Sequence, residues 1–161
     1  MTLSGNPPRG IRNHNPGNIE RSRTRWQGMS PDQSGDPRFI VFSHPVWGVR
    51  AIARTLITYQ DDRHAKDGSR IDSVRELIER WAPAHENDTD SYAKRVAKAL
   101  GIGLDQESVD VYDYATMRAL VTAIIGHENG AGPLPGGAWY DEKLIADGLS
   151  LAGILPGVVH G

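Results

Sequence analysis

At Pro45 the chain changes character, and that change sets its fold class. Upstream, residues 10 to 37 are dense in Asn, Gly, Pro, Ser and Arg, which favour turns over long regular elements. Downstream, Trp47, Val49, Ile52, Ala53, Leu56 and Ile57 recur at helical spacing, with Pro45 pre-set for a first turn. Asp72 or Ser73 caps a second helix carrying Val74, Leu77, Ile78 and Trp81, and Pro83 ends it. Thr89 or Asp90 opens a third, with Tyr92, Val96, Ala97 and Leu100 on its apolar side and Gly101 closing it. A fourth starts at Asp113 or Thr116 and runs to Glu128, and a last covers Tyr140 to Ala152 through Leu144, Ile145, Leu149 and Leu151. Before Pro45, Arg38 to Phe42 is the best strand, being β-branched and aromatic between Pro37 and Pro45, and Asn18 to Ser22 is a shorter candidate. The expectation is a mainly α domain of the α+β kind over residues 10–153, with a small N-terminal β-hairpin. A flexible tail at 1–9 and a C-terminal tail at 154–161 would flank it.

Several function classes are disfavoured at once. The chain holds no cysteine, so disulfides and Cys-ligated metals are excluded. Its formal net charge of -2 provides no global basic field for nucleic acid. No run approaches the ~18 apolar residues of a membrane span, so no membrane insertion is expected. The N-terminus MTLSGNPPRG lacks the apolar core of a signal peptide. Synthesis in the cytoplasm followed by delivery outside the general secretory route is the matching expectation. The histidines at 14, 44, 64, 85, 127 and 160 show no ligand spacing, and neither a Gly-x-Ser-x-Gly elbow nor a phosphate-cradling glycine loop occurs. No metal and no cofactor are expected.

Three blocks carry chemistry. The fourth helix is apolar from Met117 onward and stops on a carboxylate, Glu128, before Asn129 and Gly130. Carbonyls at a helix C-terminus carry roughly half a negative charge, and apolar surroundings disfavour a carboxylate. Both effects favour a protonated carboxyl, which is what a general acid in glycoside hydrolysis requires. The second block runs from Arg9 through Asn13, Asn15 and Asn18 to Glu20, with Pro16-Gly17 forcing a tight turn. Its amides both donate and accept, which suits sugar hydroxyls, although an Asx-turn scaffold would spend the same amides on backbone. The third block holds Trp81, Glu86, Asp88, Thr89 and Tyr92, where capping accounts for part of the pattern and Glu86 or Tyr92 lining a cleft for the rest. Trp26, Trp81, Trp139 and Tyr140 sit beside Gly- or Pro-containing segments, positions from which an aromatic face can stack on a sugar ring.

Taken together, these blocks resemble a family of phage and prophage virion-associated, lysozyme-like muramidases. The resemblance runs through Arg9 to Ile19, Trp26-Gln27-Gly28, Phe39 to Phe42, Gly48 to Ala51, Trp81 to Pro83, Glu86 to Thr89, Tyr92, and His127 to Gly130. His14 stands where that family has Asn, and Glu20 where Arg is as common, which counts against Glu20 as an essential carboxylate. A looser similarity to flagellar-type glucosaminidases has the Glu-ending helix before the Asn-rich turn rather than after it. The resemblance therefore implies a circularly permuted lysozyme-like fold with Glu128 facing the Asn-rich turn. It implies a peptidoglycan-degrading glycosidase, muramidase or lytic transglycosylase, cutting the MurNAc–GlcNAc β-1,4 bond. Glu128 would be the general acid and Glu20 the first candidate for a second carboxylate, with Asn13, Asn15, Asn18, Trp26, Glu86, Tyr92 and Asn129 positioning the sugar. Its partners would be peptidoglycan glycan strands and virion, baseplate or secretion components, and its place of action the periplasm or cell wall. The rival expectation is a non-enzymatic phage structural or baseplate protein that binds cell-wall glycan.

Overall fold

The computed structural model describes residues 7–83 and 88–157. Among them are the helices α1 (Arg9–Arg12), α2 (Pro45–Asp62), α3 (Val74–Trp81), α4 (Thr89–Leu100), α5 (Tyr114–Asn129) and α6 (Glu142–Leu151). Each long helix starts where its first residues supply an acceptor for orphan backbone donors. The His44 ring accepts from the Val46 N–H ahead of α2. Ser73 and Glu76 form a reciprocal capping box at α3, and Asp113 and Asp141 cap α5 and α6. At α4 the cap is Asp88, not Thr89 or Asp90. Thr89 is buried, and its hydroxyl donates to the Ala82 carbonyl at 2.5 Å, tying the start of α4 to the end of α3.

Packing follows from the apolar stripes. α2 lies along α6, and α4 bridges α3 and α5. Ile52, Leu56, Leu77, Tyr92, Val96, Met117, Leu120, Ile124 and Leu149 form one continuous core. The α2–α6 crossing is close because Gly148 offers no side chain: a Cβ there would lie 2.5 Å from Val49 Cγ1. Gln60 is buried in the middle of this apolar mass. Its amide donates to the Ile71 and Val109 carbonyls and accepts from the Val111 N–H, pinning two loops to α2.

The mainly α expectation holds, but the N-terminal β-hairpin does not form. The segment 38–42 is held as isolated antiparallel bridges, Glu20 with Phe39 and Met29 with Phe42. The reason lies in side chains that take the backbone groups a partner strand would use. Asn15 Nδ2 donates to the Ile40 carbonyl at 2.9 Å, and Gln33 both donates to the Val41 carbonyl and accepts from the Val41 N–H. A smaller apolar cluster of Ile40, Phe42 and Ala51, flanked by Ile19, Trp26, Met29 and Trp47, anchors this block on α2. The ends also differ from expectation where they are described. Arg9 opens α1 rather than belonging to a tail, and Ile154, assigned to the C-terminal tail, is fully buried in the core.

Candidate active site

The last turn of α5 meets the Asn-rich turn along one wall of a cleft of about 610 Å³. Its lining is Gly17, Asn18, Ile19, Glu20, Arg38, Phe39, Tyr59, Trp81, Ala82, Pro83 and Glu128. Glu128 is half-buried there, and both its oxygens are engaged. Asn18 Nδ2 donates to Oε1 at 3.1 Å, and the Tyr92 hydroxyl donates to Oε2 at 2.9 Å. Two donors from different elements thus fix the carboxyl plane, while its position at the cleft wall keeps it accessible to a ligand.

The Tyr92 phenol is itself locked. It is fully buried, and its ring stacks on His127 with centroids 3.6 Å apart. Burial, reinforced by the negative charge of Glu128, drives its pKa far above the ordinary phenol value, so Tyr92 remains a donor at any physiological pH. Burial also lowers the pKa of His127, which favours the neutral imidazole beside that ring. The expected juxtaposition of Glu128 with the Asn-rich turn is therefore present at Asn18, across 110 positions of sequence.

Asn18 reaches Glu128 because of an unusual backbone. It adopts φ 50°, in the left-handed region, at the end of a turn closed by its own N–H to the Asn15 carbonyl. The turn is packed tightly on both sides. A Cβ on Gly17 would lie 2.7 Å from Ile52 Cγ1, and one on Gly48 would lie 2.3 Å from the His14 carbonyl oxygen. His14 also has positive φ, 53°, and its ring hydrogen-bonds the Phe42 carbonyl.

The other expected sugar contacts divide. Asn13 and Asn15 do not line the cleft: both are buried, and both spend their amides inside the fold. Asn13 donates to Asp36, and Asn15 donates to the Ile19 and Ile40 carbonyls while accepting from the Ile19 N–H. Asn129 is likewise buried, donating to the Pro16 and Ile125 carbonyls and so suturing the end of α5 to the N-terminal turn. These three are scaffold, not cleft surface. Trp26 packs in the smaller cluster and lines a different pocket, beside Arg50 and Arg54. Trp139 and Tyr140 line a third, between α5 and α6. Trp81 does face the cleft. Glu20 lines it too, but is exposed and paired with Arg38 through a bond from Arg38 Nε at 2.7 Å. Glu86, and with it the His-Glu-Asn triplet at 85–87, lies outside the described residues.

Asp36 escapes a reading of the sequence. Although it sits among Gly and Pro, it is 3% exposed and receives Arg9 in a two-pronged pair, Asn13, and the backbone N–H groups of Arg38 and Phe39. The Arg9 guanidinium, with those further donors, holds its carboxyl well below the usual carboxylate range. No local signal marks it, because its main partners lie 27 and 23 positions away.

No family model matches the chain. Protein P5 of Pseudoalteromonas phage PM2 is 39% identical to it over 137 residues, covering 83% of this chain and 76% of that phage protein.

Proposed function

The chain belongs to the family of Protein P5 of Pseudoalteromonas phage PM2, and from there we propose that it is a peptidoglycan-cleaving glycosidase of lysozyme-like, circularly permuted build. One observation carries this reading: a helix-terminal carboxyl, Glu128, is held at the wall of an open cleft by two neutral donors, Asn18 and Tyr92. Among the described residues no cation hydrogen-bonds Glu128. In the proposed reaction Glu128 gives its proton to the glycosidic oxygen between MurNAc and GlcNAc as the C1–O bond breaks. The resulting carboxylate keeps its orientation through Asn18 and Tyr92.

Two routes complete the step. Water, deprotonated as it adds to C1, yields a reducing end, and Glu20, a second carboxylate of the cleft lining, would take that proton. Alternatively the sugar's own 6-hydroxyl attacks C1, returning its proton to Glu128 and leaving a 1,6-anhydro end. The engagement of Glu20 by Arg38 favours the second route, since that carboxylate is already held by a guanidinium rather than free to meet a water. Trp81 and Phe39 supply apolar cleft surface for sugar rings. Membership of a phage protein family supports delivery to the cell wall by the virion.

The test is turbidity clearing of purified peptidoglycan by wild type and Glu128→Gln, with mass spectrometry of the released fragments. Clearing that disappears in the variant, with anhydro ends, is the expected result. Equal clearing by both proteins would remove Glu128 from the mechanism. Glycan binding with no clearing by either would favour a structural, wall-binding virion protein.

A further inference from the structure

A second pocket, of about 340 Å³, lies away from the Glu128 cleft and is lined by Thr24, Arg25, Trp26, Arg50, Arg54 and Thr58, with Gln27 at its edge. Three guanidinium groups therefore surround one small concavity, and no carboxylate lines it. Arg50 and Arg54 stand one turn apart on α2, on the same helix face, and Arg25 is brought over them by the loop before the smaller core cluster. None of the three forms an ion pair among the described residues. Asp61, two turns further along α2, is taken by the Tyr112 hydroxyl.

Burial and the neighbouring charge of Arg54 both lower the pKa of Arg50, which an anion beside the two guanidinium groups would relieve. The fold uses little of their donor capacity: Arg50 Nε donates to the Leu151 carbonyl and Arg54 Nη1 to the Ala152 carbonyl, at the C-terminal end of α6. Each guanidinium has five N–H donors, and Arg25 makes no hydrogen bond among the described residues. The Trp26 indole N–H, from the same lining, is buried without a partner. Threonine hydroxyls complete a donor-rich, acid-free wall.

We propose that this pocket is an oxyanion site that binds a phosphate group carried on an envelope glycan. Guanidinium forks match phosphate oxygens, and three of them around one concavity suit a multiply charged group better than a single carboxylate. A pocket of about 340 Å³ has room for a phosphate together with part of the sugar that carries it. A nucleic-acid backbone would instead need a basic stripe, which a chain of net charge -2 does not supply. The choice of a glycan as carrier rests on the reading of the Glu128 cleft as a glycan-cleaving site. The pocket would hold the enzyme on decorated wall while the cleft works on the strand.

The experiment follows the Trp26 indole N–H by NMR while glucose 6-phosphate is added at constant ionic strength, with glucose, inorganic phosphate and acetate in parallel. Saturable shifts are expected with glucose 6-phosphate and inorganic phosphate, none with glucose, and only weak ones with acetate. Arg25→Gln removes no bond of the fold and should weaken glucose 6-phosphate binding by about tenfold. Arg54→Gln should do the same, with circular dichroism reporting that α6 remains folded. Absence of saturation by glucose 6-phosphate, an equal response to acetate, or full affinity in Arg25→Gln would each overturn the proposal. So would Arg25-dependent binding to phosphatidylglycerol vesicles or duplex DNA with none to the sugar phosphate, since the partner would then be a lipid or a nucleic acid. Glu128→Gln should bind the sugar phosphate like wild type. Because binding is read without turnover, a failure here is distinct from a failure of the clearing assay.

Discussion

Asn18 combines a side chain that orients Glu128 with a backbone at φ 50° that most residues avoid. The two roles separate experimentally. Asn18→Gly removes the amide but accepts the backbone, whereas Asn18→Ala removes the amide and adds strain of ~1–2 kcal/mol. Both variants should lose clearing activity, and Asn18→Ala should unfold at lower denaturant than Asn18→Gly by that difference. Tyr92→Phe keeps the stack on His127 and deletes one donor to Glu128, so clearing should fall by about 10- to 100-fold with little change in melting temperature. Asp36 belongs to stability instead. Its folded pKa is depressed, so its contribution is complete above the unfolded carboxylate value and drains away only as pH falls below that value. Asp36→Ala leaves Asn13 and two backbone N–H groups without their acceptor, a loss on the order of 3 kcal/mol. Differential scanning calorimetry near neutral pH should show the melting temperature lower by roughly 6–12 °C, with the gap to wild type narrowing in strong acid.

Among the elements, the four long helices and α3 were legible because apolar period and caps agree locally. Pro45 marks a start that the structure keeps, and of the paired alternatives Asp72 or Ser73 and Asp113 or Thr116 it takes Ser73 and Asp113. The hairpin was not legible as absent. Arg38 to Phe42 has strand composition, but its ladder is intercepted by the side chains of Asn15 and Gln33, a competition that strand propensity does not register. The same reason explains the site. Glu128, Asn18 and Tyr92 could be singled out, yet nothing local distinguishes Asn18, which reaches the cleft, from Asn13 and Asn15, which are buried three to five positions away. Gln60 and Asp36 were silent because their partners are remote in sequence. The packing of the turn on α2 gives a further expectation. Gly48→Ala would put a methyl against the His14 carbonyl and Pro16, costing about 1–3 kcal/mol. Amide exchange at residues 13–19 should quicken more than exchange in α4.

For the molecule as a whole, two parts of different character are sutured at one seam. The helical core is held by apolar burial, and the N-terminal block by amides, one ion pair to a buried carboxylate and a small apolar cluster. Asn129 to the Pro16 carbonyl and Asn18 to Glu128 join them. Asn129→Ala should loosen the seam, lowering clearing activity more than it lowers global stability, measured as specific activity against the urea midpoint. That seam links residue 18 to residue 128, and its consequence reaches back to synthesis. While a ribosome is still extending the chain, the turn that carries Asn18 emerges long before its counterpart exists. On the proposed function, an unfinished or prematurely terminated product would hold half of the constellation and none of its acid, and would be inert toward the envelope of the cell that makes it.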